Sequence, residues 1–510
     1  MLDWMRMIYR RMRYLVTSGG TRATRLLASN VGVLAGDSFS PALFNFYVGD
    51  ILLADREDDV LLDGVRVKNL EQADDGTLVS CDVGNLQRRL TEYEHWAGSK
   101  GLRINVPKTH GIVFGRRCGP ALEPLKIYDR DVQWTDEATS LGILFCTTRG
   151  DVLDKHHLSQ AAKAARAAGA ILSLQRHLGD LAPKAAIQLY QARIEPLLSY
   201  GCEVGVALTA DAVDALTKVQ INFFRRILGY TKRSMRAIVF SETGVLPILH
   251  RRLILALRFY KRMLMDLSGS LASRAFCDAR ALYVDGQKGW IGDIVVGLTR
   301  LAPPVLVDFR RVVTGDHVDA LMTRVEDSFQ AQVRRDTSGT TAPRRTALMR
   351  ERVEVDKRGC TRPDAAQYRS YLDIAMPHHR KALTRLITGD HELLGVRGAW
   401  AIRGKYIAYE WRLCRLCAAS VEDAVHALFT CIGRPQLAAL RHAFWDDIGA
   451  ADDTIRATSP DPAAWIRVLA ANPGTQARLG KFAFDVLHLF SLHRAYIPPQ
   501  HAWRMSSERS

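Results

Sequence analysis

Apolar residues recur with two different spacings along this chain of 510 residues, and the change of spacing divides it. Up to about residue 150, helical and alternating patterns are mixed. Leu43, Phe44, Tyr47, Val48 and Ile51 fall on one face of a helix. Ser40 and Pro41 open it, a hydroxyl for the N-cap and a proline for the first helical position. Residues 60–67 read as a hairpin turning at Asp63-Gly64. Residues 70–80 read as a second one, with short apolar flanks and Asp74-Asp75-Gly76 as the turn. Leu86, Leu90, Tyr93 and Trp96 then line a helix that ends at Gly98 or Gly101, and residues 141–145 form a short apolar strand.

Beyond residue 150 the strand signals fade. Residues 155–178 are an alanine-rich helix carrying Lys163, Arg166 and Arg176, and residues 183–265 predict three more helices. In the last of these, Arg251, Arg252, Arg258, Lys261 and Arg262 interleave with Leu253, Leu255, Leu257 and Phe259. Such a stretch is either a phosphate-binding face or a solvated face over a helical core. Residues 336–343 are polar and turn-rich, and Arg344, Arg345, Arg350, Arg352, Lys357 and Arg358 follow, which predicts an exposed basic linker. The fold expected is α+β: a short antiparallel sheet with helices, followed by a mostly helical region.

Charge and composition narrow the partners. The net charge is +16 and the isoelectric point about 9.5, which favours an acidic partner, nucleic acid above all. With 47% hydrophobic residues the chain supports two or more globular domains. It contains no run of about 18 apolar residues for a membrane span, and Arg6, Arg10, Arg11 and Arg13 interrupt any signal-peptide core. Nine cysteines, scattered apart from one cluster, argue against a disulfide scaffold and for a reducing, intracellular compartment, nuclear or cytoplasmic.

That cluster is Cys414-x2-Cys417-x8-His426-x4-Cys431. Two cysteines two residues apart present both sulfurs to one ion, and His426 and Cys431, about a helical turn apart, can close a tetrahedron around Zn²⁺. The plainer alternative is a set of buried cysteines and a core histidine. The role expected is structural, with Arg412, Arg415 and Arg434 gripping nucleic acid. His378, His379 and His391 have no partners at ligand spacing and read as solvent or helix residues. The Asp74-Asp75 pair, on a hairpin tip, is a ready ligand for a hard cation, Mg²⁺ or Mn²⁺; taken alone it is also an ordinary solvated turn.

The order of the pieces is more specific than any one of them. Gly36-Asp37-x-x-Ser40-Pro41 is followed by Ala73-Asp74-Asp75, then by a helix ending near Gly101-Leu102-x-Ile104-Asn105-x-x-Lys108-Thr109, then by Leu141-Gly142-Ile143. This order resembles the palm of a non-LTR (LINE-type) retrotransposon reverse transcriptase. Residues 195–203, Glu-Pro-Leu-Leu-Ser-Tyr-Gly-Cys-Glu, and 240–247, Phe-Ser-Glu-Thr-Gly-Val-Leu-Pro, resemble the thumb region of the same family, and the Cys-Cys-His-Cys spacing is similar to its zinc motif.

The resemblance implies RNA-directed DNA polymerase chemistry, with an RNA template and target-site DNA as partners. Asp74 and Asp75 would hold the catalytic Mg²⁺ (or Mn²⁺), which lowers the pKa of the primer hydroxyl and stabilises the phosphate under attack. Gly36, Asp37, Ser40 and Pro41 would contact template or incoming nucleotide, and Lys108 would lie near the triphosphate. Lys163, Arg166, Arg251, Arg252, Arg412 and Arg415 would hold nucleic acid.

The implied organisation is a partial palm over 1–150, a helical thumb over 151–265, a helical connector over 266–335, the basic linker over 336–365, a zinc-knuckle region over 366–445 and a helical tail over 446–510. The family's third metal aspartate, in a Phe-x-Asp strand ahead of Gly36, has no counterpart, and Asp3 sits in an arginine-rich helical context. Gln72 stands where an aromatic is usual, and Leu34 and Ala35 where Arg and Gln are usual. The expectation is therefore an N-terminally truncated, catalytically incomplete polymerase, or else a non-catalytic RNA- or DNA-binding protein derived from such an element.

Overall fold

The computed structural model describes residues 37–115, 122–266, 268–340, 342–350, 365–400, 404–449 and 461–505, with short pieces between 7 and 33 and between 352 and 362. The chain is a mixed α+β protein, mostly helical with small sheets. It forms two compact units, Met1–Ala138 and Thr139–Ser510. No helix among the described residues is long and apolar enough to cross a membrane.

In the first unit, helix α1 covers Ser40–Val48. Phe39 takes the N-cap position without a side-chain cap bond, so Ser40 is the first helical residue and Pro41 the second, and the helix starts one residue earlier than the sequence suggests. Strands β1 (Val60–Leu62) and β2 (Val65–Val67) pair antiparallel, with Leu62 opposite Val65. Both turn residues, Asp63 (φ 47°) and Gly64 (φ 74°), adopt the left-handed conformation that this tight hairpin requires.

The second hairpin joins β3 (Asn69–Gln72) to β4 (Asp75–Leu78). Its turn is Ala73-Asp74, not Asp74-Asp75-Gly76: Asp75 already pairs with Gln72, and Ala73 carries the positive φ of 54°. The physical reason lies at Gly76. A Cβ there would come 2.5 Å from Tyr93 Oη and 2.9 Å from Glu71 Oε2, so the glycine admits the Tyr93 ring against the strand and is not used to turn the chain.

Helix α2 (Val83–Ser99) starts on Asp82, whose side chain accepts from Asn85 N at 2.8 Å. Its Leu90 packs with Leu125, Ile127 and Val132 of strands β6 (Leu125–Ile127) and β7 (Arg130–Trp134), and β7 runs parallel to β5 (His110–Gly111). Arg89 of α2 is fully buried and bonded to the buried Asp59.

The second unit is built on helices. Helix α3 (Asp154–Ser173) packs on α4 (Ala210–Leu228); the alanine face of α3, with Ala161, Ala164 and Ala168 buried, allows the close approach. After α5 (Arg236–Thr243), helix α6 (Ile248–Leu264) gathers α7 (Leu271–Val284), α8 (Trp290–Thr299) and α9 (Gly315–Ser338) into an apolar cluster centred on Tyr260, Phe309 and Leu298. A larger cluster joins α3, α4 and α5 to α10 (Pro377–Thr388) and to the final helices α11 (Pro435–Ile448), α12 (Pro462–Ala471) and α13 (Gln476–Ser491). A two-stranded ribbon, β8 (Lys405–Ile407) with β9 (Trp503–Met505), ties the last described residues back to the region before the cysteines.

The stretch expected as an exposed linker from residue 336 is not extended at its start. Asp336, Thr337 and Ser338 complete α9, and Thr346, Leu348 and Met349 are buried in a short 3-10 turn, Arg344–Met349. The apolar residues between the arginines anchor it to the core. His391 is likewise neither in a helix nor in solvent: it is buried, and burial pushes its pKa down to about 3.

His250 gives a testable consequence. It lies on α6 against Phe329, neither ring nitrogen has a partner among the described residues, and burial pushes its pKa down to about 4. The unfolded chain therefore takes up a proton first as the pH falls below about 6.5, and stability drops through the window from 6.5 to about 4. His250→Leu is expected to raise stability by about 1 kcal/mol at pH 7, by removing the unpaired nitrogens, and by about 1 kcal/mol more at pH 5.5. Urea unfolding at the two pH values measures this; an equal gain at both would show that His250 does not titrate in this way.

Candidate metal centre and basic surface

The four residues picked out by spacing converge. One ligand atom from each of Cys414, Cys417, His426 and Cys431 lies within 4.8 Å of all the others. Cys414 Sγ is 3.6 Å from Cys431 Sγ, and Cys417 Sγ is 3.3 Å from His426 Nε2. A tetrahedral zinc ion with Zn–S of about 2.3 Å and Zn–N of about 2.0 Å would set neighbouring ligands roughly 3.5–3.8 Å apart. The donor set and its dimensions fit such an ion.

The local fold explains the convergence. Leu413 and Val421 pair across a small antiparallel bridge, Cys414 N donates to Ser420 O at 2.8 Å, and Ala418 turns the knuckle with φ 54°. Leu416 N and Ala419 N point at Cys414 Sγ (3.4 Å) and Cys417 Sγ (3.5 Å), which stabilises thiolates there. His426–Thr430 is a widened π-type turn, closed by Cys431 N donating to His426 O at 2.8 Å. A five-residue separation is far from in phase on an α-helix; the wider turn brings His426 and Cys431 to one side. The opposite ring nitrogen of His426 lies 3.1 Å from Thr430 Oγ1, which orients the imidazole from behind, and Asp423 Oδ1 accepts from the backbone N of His426 at 2.8 Å, which fixes the start of the turn. Gly433 is a feature that spacing did not pick out: a Cβ there would sit 2.5 Å from the Leu416 carbonyl, so only glycine lets the chain pass behind the knuckle.

Burial opposes the thiolate at two of the three cysteines. Burial pushes Cys414 up to about 12 and also raises Cys431, while burial lowers His426. At Cys417 burial acts upward but is outweighed by hydrogen bonds from Ala419 N and the neighbouring thiol, and its pKa falls.

Behind the knuckle sits a buried ion pair. Arg415 Nε is 2.9 Å from Glu422 Oε2 and its Nη2 2.7 Å from Oε1, while Leu394 N and Arg415 N both donate to the same carboxylate at 2.7 Å. Arg415 Nη1 also donates to the carbonyls of Phe490 and His493. Arg412 is buried too, donating to Ile407 O and Gly395 O at 2.9 Å. These two arginines, expected to grip nucleic acid, are turned inward because backbone carbonyls and Glu422 use their donors. The same correction applies to Arg252, which is buried and donates to Leu198 O (2.6 Å) and Gly205 O (3.2 Å). Arg251 is half-buried and bonded to Glu195 at 2.8 Å. Lys163 and Arg166 on α3, and Arg434, are exposed.

The acidic pair is placed differently. Asp74 and Asp75 are exposed at the tip of the β3–β4 ribbon. Among the described residues no third His, Cys, Asp or Glu joins them in a cluster of metal-binding dimensions. The ribbon stands as its own two-stranded sheet. Gly36 and Asp3 lie outside the described residues, as do Leu34 and Ala35. Asp37 O accepts from Ser40 N at 3.2 Å, and Ser40 is buried at the start of α1. The far end of α1 is tied to α2: Tyr47 Oη donates to Lys100 O, and Asp50, just beyond the helix, accepts from Lys100 Nζ and Trp96 Nε1. Lys108 is exposed in a short 3-10 turn, Val106–Lys108. No protein-family model matches the chain, and no curated protein matches it.

Proposed function

We propose that this chain binds nucleic acid through a zinc-stabilised C-terminal region, and that it derives from the palm, thumb and zinc motif of a non-LTR reverse transcriptase. The convergent Cys414, Cys417, His426 and Cys431 carry the zinc part of this reading. The net charge of +16, with Lys163, Arg166 and Arg434 exposed, supports the nucleic-acid part. The order of motifs from Gly36 to Leu246 supports the ancestry. Zinc would be structural: four protein donors leave no open position for a substrate.

Templated polymerisation by this chain alone is not part of the proposal. Asp74 and Asp75 are exposed at the tip of a ribbon that pairs with no further strand, and a two-metal mechanism needs ligands that fix both ions a few ångströms apart. The observation favours the non-catalytic, element-derived binding protein over the active polymerase.

Primer extension on an RNA template, in Mg²⁺ or Mn²⁺, tests this. The chain is expected to extend no more than its Asp74→Asn/Asp75→Asn variant, and both are expected to bind a fluorescent oligonucleotide equally in anisotropy titrations. Robust extension abolished by the double substitution would restore the polymerase. Absence of binding to single strands, duplex and RNA–DNA hybrid alike would remove the nucleic-acid reading.

A further inference from the structure

A cavity of about 1110 Å³ opens beside the cysteine cluster in the second unit. Five arginines line it against one carboxylate, Glu410. It is larger than the roughly 300–1,000 Å³ of a pocket for a single small molecule. Its walls come from distant parts of the chain: the turn after α4 supplies Arg233, the 3-10 turn Arg344–Met349 supplies Arg344, and β9 supplies Arg504.

Four of the five fall into two kinds, and Arg345 is only half-exposed. Arg412 forms part of the wall, with its donors used by Ile407 O and Gly395 O. Arg233, Arg344 and Arg504 are exposed, and among the described residues none of their guanidinium groups has a carboxylate partner or a hydrogen bond. Two of these three are plated on aromatic rings: Arg344 lies 4.7 Å over Tyr409 and Arg233 5.6 Å over Trp400. A guanidinium stacked on a ring is held in place while its in-plane N–H groups stay available, the arrangement that suits a phosphate. Trp400 adds an independent sign of a missing ligand. Its Nε1–H is buried and has no acceptor among the described residues, and an unpaired buried donor is unfavourable unless a ligand satisfies it.

We propose that this cavity binds an unpaired segment of a nucleic-acid strand, with phosphates on Arg233, Arg344 and Arg504 and a base edge accepting from Trp400 Nε1. The inference rests on the nucleic-acid reading above and names the form of ligand and the place. A duplex keeps its bases stacked out of reach of a concave cleft; an unpaired strand brings both phosphates and base edges into it. The wall is continuous with the knuckle: Arg412 O accepts from Glu422 N (2.8 Å) and Gly395 N donates to Glu422 O (2.9 Å). The metal centre therefore holds one side of the groove in shape.

The test uses the full zinc-loaded chain with fluorescein-labelled oligo-U and oligo-dT, and a duplex and an RNA–DNA hybrid as competitors, over a salt series. Arg344→Ala/Arg504→Ala is expected to lose at least tenfold in single-strand affinity and about 1.4 from the slope of log K against log salt, near 0.7 per phosphate lost. Trp400→Phe, which keeps a ring and removes the indole N–H, is expected to lose several-fold with the slope unchanged. The control, Arg226→Ala/Lys288→Ala, removes two exposed charges outside the cavity and is expected to lose less than twofold. Equal losses in the cavity and control variants, with thermal melts unchanged, would overturn the cavity assignment and leave nucleic-acid binding standing. Preference of the parent chain for the duplex or the hybrid over both single strands would also overturn it. Absence of all binding would remove the underlying reading as well.

Discussion

Cys414→Ser is expected to abolish metal retention and to unfold the C-terminal region around it. Cys414 and Cys431 are both fully buried and belong to the same apolar cluster as Leu437, Phe444, Phe482 and Phe490. The site thus lies inside the core of the helices that follow it. Structural zinc contributes on the order of 10 kcal/mol to folding in isolated small domains, because the unfolded chain has no preformed site. A serine at one ligand weakens the site by several orders of magnitude and leaves two thiols and an imidazole crowded without their ion.

The parent chain is expected to carry about one zinc per molecule by elemental analysis, and Cys414→Ser less than a tenth of that. Hydrogen exchange in the variant should rise over residues 413–431 and along α13, and a chelator should reproduce both effects in the parent. Metal binding must also displace protons from thiols that burial holds high, Cys414 at about 12. Retention therefore strengthens as pH rises and fails in acid. The exposed Cys81 and Cys277 are the controls; serine at either should leave the zinc content unchanged. A parent chain whose melting does not move on adding zinc, or a Cys414→Ser variant that keeps a full complement, would show that the four residues are merely packed together.

The parts of this molecule legible in its sequence are those set by neighbours along the chain. Asp63-Gly64 specifies its turn because both positions need positive φ, and the structure has it. The Cys-x2-Cys knuckle and the His426–Cys431 pair are local geometry, so their spacing was enough to find them. The acidic hairpin was found with its turn misplaced, because the decisive contact is between Gly76 and Tyr93, on another element. The arginines were the least legible. Arg252 and Arg415 look like surface cations in a pattern of charges and leucines. Their actual partners are the carbonyls of Leu198 and Gly205, and Glu422 with the carbonyls of Phe490 and His493. No periodicity records an irregular backbone carbonyl waiting for a donor. The cavity is the extreme case, since Arg233, Arg344, Trp400 and Arg504 are brought together only by the tertiary fold.

Arg415→Met is expected to destabilise the second unit by about 3–5 kcal/mol while leaving the nucleic-acid affinity of the folded protein unchanged. The Glu422 side chain is fully buried and that of Arg415 nearly so, with 7% of its surface exposed. Removing the guanidinium strands a carboxylate in the interior, with only Leu394 N and Arg415 N left to solvate it. The stranded charge also sits on the segment that carries Cys414 and Cys417. Glu422→Gln is the complementary lesion. Every group around Glu422 is a donor, so the new amide –NH₂ faces N–H groups and loses the bonds that one oxygen made. The double variant should be destabilised by less than the sum of the two, since with both charges gone nothing is left unpaired. Urea unfolding of the three variants in excess zinc gives the coupling energy, and anisotropy titrations on the folded proteins give the affinities. A stability within about 0.5 kcal/mol of the parent, together with a tenfold loss in affinity for Arg415→Met, would return Arg415 to the nucleic-acid surface and remove it from the frame of the metal site.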